Sequence, residues 1–467
     1  MEKLLNKLKK YIPKKLFTIF QPAYHFLLSA IAAVWYRFPS EKLIVIGITG
    51  TTGKTTSLYL IAKMLSASGY KVGYTSTAVF SNGQTEWLND KKMTMVGRFF
   101  TQKMLAQMVA NKCHYAIIET TSEGIMQFRH SFINYDILIF TNIYSEHIEA
   151  HGNFNNYLTA KGKLFAHLKK CKTKYINAEK QVFLTASGIK KIELNRVKKT
   201  IIVNADDKQA DYFLNFWAEE KWEYKTKTAI QNLKSQNNII EYEKIKQDNG
   251  EVIFIVNETK IKLKLLGEFN IINAMNAVCI GLCQGINLAK VKIGLEKIDQ
   301  IPGRLELINQ GQCFTVIVDY AFEPVAVIKL YETIKFLPHQ KIIHLLGSTG
   351  GGRDTARRKK LGKIAGEKAD LVIITNEDPY DEDPEIIIDQ VLSGAKDAGK
   401  IINKNLFKIL DRKEAIIKAL SLAQKNDLVL ITGKGSEQAM CLANGTKIPW
   451  DDRKIVREEL IRVRIVE

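Results

Sequence analysis

A chain of 467 residues is too long for one hydrophobic core, so two or three domains are expected. With 46% apolar and 25% charged residues, the composition is that of an ordinary globular protein. The net charge of +19 comes largely from lysines scattered along the chain, a solvated basic surface rather than a nucleic-acid-binding arm. No zinc-finger, RNA-recognition or helix-turn-helix signature accompanies it, so nucleic acid is excluded as a partner. Cys113, Cys171, Cys279, Cys283, Cys313 and Cys441 form no C-x-x-C pair and no disulfide-framework spacing, which fits a reducing, cytosolic compartment.

In chain order, Lys3, Lys7, Lys9, Lys10, Lys14 and Lys15 precede Leu16 to Tyr36, a mostly apolar stretch broken by Gln21, Pro22 and His25. A basic N-terminus stays inside, so a secretory signal or a single crossing would send the rest of the chain outward, away from the phosphate chemistry read next. Two readings stay open for residues 1–40: a helix in the membrane interface at the inner face, or a helix packed on the protein's own surface. Pro22 is expected to break or start that helix, leaving Ala23 to Tyr36 as the interfacial part.

From Leu43 the pattern alternates between strand and helix. Buried strands are expected at Leu43–Ile46, Tyr115–Ile118, Tyr135–Phe140 and Thr200–Val203, in a mainly parallel sheet. Between Leu43–Ile46 and the apolar-periodic run Leu58–Leu65 lies Gly47-Ile-Thr-Gly50-Thr51-Thr52-Gly53-Lys54-Thr55-Thr56. Strand, glycine-rich turn and helix make a P-loop: backbone N–H groups cradle phosphate, Lys54 adds a mobile positive charge and Thr55 offers a hydroxyl to Mg²⁺. Glu119 ends a buried strand, where an acid near a P-loop serves as a Mg²⁺ ligand. His147 and His151 stand at i, i+4 after another strand, spacing open to a metal role or a structural one.

Short alternating runs at Ile239, Val252 and Ile261 predict an antiparallel meander between about Tyr212 and Leu266, followed by a helix from about Asn270 to Gly285. Gln300-Ile-Pro-Gly303-Arg304 marks a domain boundary. After it, strands are expected at Phe314–Val318, Lys341–Leu346, Leu371–Thr375 and Leu428–Thr432. The fold class is therefore α/β: a helical segment over 1–40, a central ATP-binding domain over 41–301 and a C-terminal Rossmann-like domain over 302–467.

The P-loop resembles the nucleotide loop of the Mur ligases, with Thr52 in the place of an asparagine. Thr141-Asn142, Glu146-His147, His151-Gly152 and Tyr157-x-x-Ala160-Lys161 follow the family's order and spacing. The resemblance implies that Thr55, Glu119, His147 and a carbamylated Lys161 hold Mg²⁺, and that Lys54, Lys161, Glu119 and His147 carry catalysis. It further implies that Asn273 meets adenine, Arg304 reaches the nucleotide from the hinge and Asp319 binds ribose, with Phe322 replacing the family's histidine.

In the last domain, Gly350-Gly-Gly-Arg353-Asp354, Thr375-Asn-Glu377-Asp378-Pro379-Tyr380 and Thr432-Gly433-Lys434-Gly435-Ser436-Glu437 resemble the branch that adds the third residue of the peptidoglycan stem peptide. His151, Arg353, Asp378, Tyr380, Gly433 and Glu437 are then the substrate-binding candidates. Two departures bear on substrates. Tyr380 stands where diaminopimelate-adding members carry an arginine, and a phenol offers no bidentate cationic fork. The acidic loop from Glu377 to Asp383 favours a basic side chain such as lysine. The family's N-terminal UDP-sugar domain is missing from residues 1–40, so a membrane-linked acceptor becomes an expectation. The implied activity is ATP-dependent amide ligation through an acyl phosphate. Its rivals are a polyglutamate, folate or lipid-linked peptide acceptor, and a P-loop regulatory ATPase.

Overall fold

The computed structural model describes residues 14–144, 151–184, 190–227, 237–248, 251–352 and 355–466. His147 and Arg353 lie outside them.

Two sheets organise the described chain. The first has eleven strands. Its centre is Ile44–Thr49, buried at every position and flanked in parallel by Tyr115–Glu119 and Ile137–Phe140. The continuous apolar runs follow from burial on both faces, with helices such as Lys54–Ala67 and Phe269–Cys283 covering one side. Register pairs Ile48 with Glu119 and Thr49 with Phe140. The C-terminal ends of the three strands therefore lie side by side, and the segments after them, the P-loop and Thr141-Asn142, meet at one edge.

The expected meander is present: Asn238–Asp248, Glu251–Val256 and Thr259–Leu263 pair antiparallel. It is not a separate layer, because Asn238–Asp248 also pairs in parallel with Glu220–Thr226 and so extends the main sheet. The second sheet has six strands, parallel except for its first, Glu306–Leu307.

A helix runs from Lys14 to Trp35 with Pro22 inside it. This corrects the expected break: proline removes one backbone donor, while the turns on either side keep their own bonds. One face of the helix packs on the large domain. Ser29, Ala32 and Ala33 are buried, Arg98 Nε donates to Ser29 Oγ (3.0 Å), and Ser29 Oγ donates to the Phe128 carbonyl (2.8 Å). The Phe26 ring meets Phe128 and Phe132 at 5.8 and 5.1 Å. The other face shows Leu27, Ile31, Val34 and Trp35 to solvent. No helix among the described residues is long and apolar enough to cross a membrane.

Candidate functional site

The P-loop is shaped by the strand beside it. Thr51 N donates to the Asn142 carbonyl (2.9 Å), Thr52 N to Asn142 Oδ1 (3.0 Å), and Thr141 Oγ1 to the Thr52 carbonyl (2.8 Å). Gly53 has φ 78°, and a Cβ there would stand 2.3 Å from Asn273 Oδ1. Only glycine meets both demands. Asn273 accepts from Ser57 Oγ (3.2 Å) and donates to Asn270 Oδ1 (2.9 Å), which seats it against the start of the P-loop helix.

Lys54 Nζ donates to the Gly50 and Thr51 carbonyls at 3.0 and 2.7 Å. Burial lowers its pKa, against the opposing pull of Glu119 and Glu323. Thr55 Oγ1 donates to Glu119 Oε2 (2.9 Å), and Thr77 adds its N–H (2.8 Å) and hydroxyl (3.0 Å) to the same carboxylate. Thr77 is a site residue that the sequence did not single out; nothing in its neighbourhood marks it. From across the hinge, Arg304 stacks over Tyr320 at 4.4 Å, and its Nη2 comes within 3.5 Å of Thr55 Oγ1.

Lys161 is buried, its Nζ donating to the Gly50 carbonyl (2.8 Å) and lying 4.5 Å from the Tyr157 ring centre. Burial and then the nearby Lys54 charge hold its pKa well below that of an ordinary lysine. His151 lies within 3.0 Å of Ser122 Oγ, its pKa lowered by burial first and by Lys161 second. Asp319 faces the same cavity, but its oxygens accept from the Leu305 and Ala321 amides at 2.6 and 2.7 Å. Its carboxylate therefore ties the hinge to the second sheet, and burial raises its pKa despite Arg304.

Thr51 to Thr56, Glu119, Asn273, Arg304, Asp319, Asp378, Tyr380, Gly433 and Glu437 line one cavity of about 890 Å³ between the two sheets. Asp378 and Glu437 meet Lys434, whose Nζ donates to Asp378 Oδ1 (2.9 Å) and Glu437 Oε2 (2.8 Å). Lys92, from the large domain, also pairs with both carboxylates. It was hidden in the sequence among Asp90, Lys91 and other exposed-looking charges. Of the five acids in the expected loop, Asp378 and Glu382 are ion-paired, and the other three are held by hydrogen bonds from neutral donors. Glu382 pairs with Arg358, Asp383 caps the helix Pro384–Asp397, Asp381 accepts from Asn444 N, and Glu377 accepts from Thr349 Oγ1. Among the described residues, no three His, Cys, Asp or Glu side chains cluster to hold a metal.

Comparison with known proteins agrees with this geometry. Residues 48–281 match the Mur ligase middle domain, and residues 303–435 match the Mur ligase glutamate ligase domain. The chain is 32% identical over 441 residues to a UDP-N-acetylmuramyl-tripeptide synthetase of a Roseiflexus species, covering 93% of this chain and 81% of that protein. It is 33% identical over 439 residues to the synthetase of the same name from Borreliella burgdorferi, covering 93% and 80%. Among solved structures, a UDP-N-acetylmuramoyl-L-alanyl-D-glutamate–2,6-diaminopimelate ligase aligns with a TM-score of 0.53 at 25% identity, covering 90% of this chain and 79% of that one. FolC of E. coli, in a complex with DHPP and ADP, shares the fold, with a TM-score of 0.61 at 15% identity, covering 94% of this chain and 93% of that one. The chain belongs to the Mur ligase family of ATP-dependent amide ligases.

Proposed function

We propose that this ligase phosphorylates a peptide carboxylate with ATP and then joins an amino acid to it, extending a peptidoglycan stem peptide. The observation that carries the reading is the single cavity joining the P-loop to Asp378 and Glu437. Phosphate placed at Gly50 to Thr56 meets the N–H groups of a helix's first turn. Lys54 has only to exchange two loop carbonyls for phosphate oxygens. Arg304 is assigned to the transferring phosphoryl group and Asn273 and Asp319 to the nucleotide, and their place on the wall of the cavity supports this. Hinge closure brings the amine to the acyl carbon and keeps water out.

The hydroxyl of Thr55 beside the carboxylate of Glu119 fits Mg²⁺, which takes a few hard oxygen ligands together with phosphate oxygens. Bound there, the ion would spread the negative charge of the phosphoryl oxygens. His147 and a carbamylated Lys161 are the further ligands we assign. The Lys161 amine adds to CO₂, loses a proton and becomes an anionic oxygen donor; its burial against the Gly50 carbonyl supports this. His151, Arg353 and Gly433 are assigned to substrate. Tyr380 in the place of an arginine supports an amino acid other than diaminopimelate.

We assign the enzyme to the cytoplasm, at the inner face of the membrane, with residues 1–40 as the contact and a lipid-linked or membrane-proximal acceptor. The apolar face of Lys14–Trp35 supports that contact.

The test is phosphate release by the full-length protein against a panel of acceptors and amino acids. Release should require both. Turnover indifferent to both would favour a regulatory ATPase and end the proposal.

A further inference from the structure

The two carboxylates facing the amino-acid end of the cavity are almost fully served by their own domain. Asp378 Oδ1 accepts from Lys434 Nζ and from the Cys441 amide (2.8 Å). Glu437 Oε1 accepts from the Tyr320 hydroxyl (3.3 Å), and its Oε2 from Lys434. What remains is a gap between Asp378 Oδ2 and Glu437 Oε2, and the Lys92 ammonium fills it, 2.6 Å from the glutamate.

Lys92 comes from the other domain, in the segment between the strand Glu86–Leu88 and the helix Arg98–Ala110. Its backbone is left-handed, with φ 55°, which for a lysine requires the surrounding structure to hold it. Its side chain is 4% exposed although it stands at the wall of an open cavity. With Lys434, it makes the group neutral: two ammonium groups against two carboxylates.

We propose that Lys92 is a specificity-determining residue, a built-in competitor that holds the position for a substrate's side-chain ammonium between Asp378 and Glu437. The inference rests on the reading of this end of the cavity as the amino-acid subsite. An incoming ammonium exchanges for Lys92 at little cost, because one cation replaces another and both carboxylates stay paired. A neutral side chain cannot make the exchange, since it would leave Asp378 Oδ2 buried without its cation. Displacement of Lys92 also undoes a contact between the two domains, so cationic amino acids alone would couple binding to release of that segment.

The experiment uses the full-length protein, with L-lysine and its uncharged isostere L-norleucine as probes. In calorimetric titrations, Lys92→Gln should bind lysine at least about tenfold more tightly than the wild type, a gain of about 1.4 kcal/mol. Norleucine affinity should not change. Unchanged or weakened lysine binding in a folded variant overturns the proposal. In the wild type, mass spectrometry after treatment with an amine-acetylating reagent should show Lys92 protected, then exposed by saturating lysine but not by norleucine. Equal labelling of Lys92 with and without lysine also overturns it, whether or not the variant folds. Neither readout uses turnover, so an inactive acceptor panel would defeat the proposed function and leave this result legible.

Discussion

The Lys54 amine rests on loop carbonyls at the cavity wall rather than in a direct ion pair with Glu119. Lys54→Ala should therefore keep the fold, by circular dichroism and melting temperature, while ATP turnover falls by a factor of about 10² or more. Lys161 differs because its side chain is enclosed beneath the P-loop, whereas Lys54 lines the cavity. Lys161→Ala should be nearly inactive and partly rescued by short carboxylic acids, which restore an oxygen donor; rescue by alkylamines instead would contradict the carbamate. The Asp378 carboxyl is opposed by burial but held below its ordinary pKa by Lys434 and Lys92. A depressed folded value means its ionised form is stabilised above the unfolded pKa, and that this stability is lost as pH falls through the folded value. The melting-temperature difference between the wild type and Asp378→Asn should shrink as pH drops from neutrality into the range below an ordinary carboxylate. These residue roles were unequally visible. Glycine and lysine in the P-loop declare themselves by type and spacing, whereas Lys92 and Thr77 matter only through partners distant in sequence.

At the scale of elements, the loops that carry Asp378 and Gly433 are anchored by one buried pair. Arg412 Nε and Nη2 donate to Asp452 at 2.9 and 2.7 Å, and the same guanidinium donates to the Asn376 and Thr432 carbonyls at 3.2 and 2.8 Å. Removing the arginine leaves a buried carboxylate unpaired and two carbonyls unserved. Arg412→Ala should cost about 3–5 kcal/mol in denaturant unfolding, whereas a variant that replaces both partners with packed apolar residues should lose less. The central strands of both sheets, such as Ile44–Thr49 and Leu428–Ile431, were legible because burial on two faces demands continuous apolar runs, whereas the short strands Val72–Thr75, Val79–Ser81 and Leu406–Lys408 were not read. Glu220–Thr226 was not: it alternates Lys, Trp, Glu and Tyr at a half-covered position and reads as surface.

Across the whole molecule, the helix Lys14–Trp35 has two faces with different fates. Ser29, Ala32 and Ala33 bind it to the large domain, so deleting residues 1–38 should lower stability rather than leave it untouched. The solvent face can be changed separately. Leu27→Glu combined with Trp35→Glu, at positions 59% and 74% exposed, should keep the melting temperature and abolish sedimentation with anionic vesicles at low salt. Wild-type protein that ignores such vesicles would end the membrane contact.

The sequence by itself determined the P-loop, the ordered series of family motifs and the two runs of parallel strands, because each is written in residues close together along the chain. The tertiary structure alone decided that Pro22 sits inside a helix, that Asp378 and Glu382 of the acidic loop are ion-paired, and that Lys92 reaches across the hinge to Asp378 and Glu437. The physical reason is common to all three. A local motif fixes which groups are available, but the partner of a buried charge and the surface that holds a helix are chosen by packing between segments well separated along the chain, from 24 residues for Arg358 and Glu382 to 286 for Lys92 and Asp378.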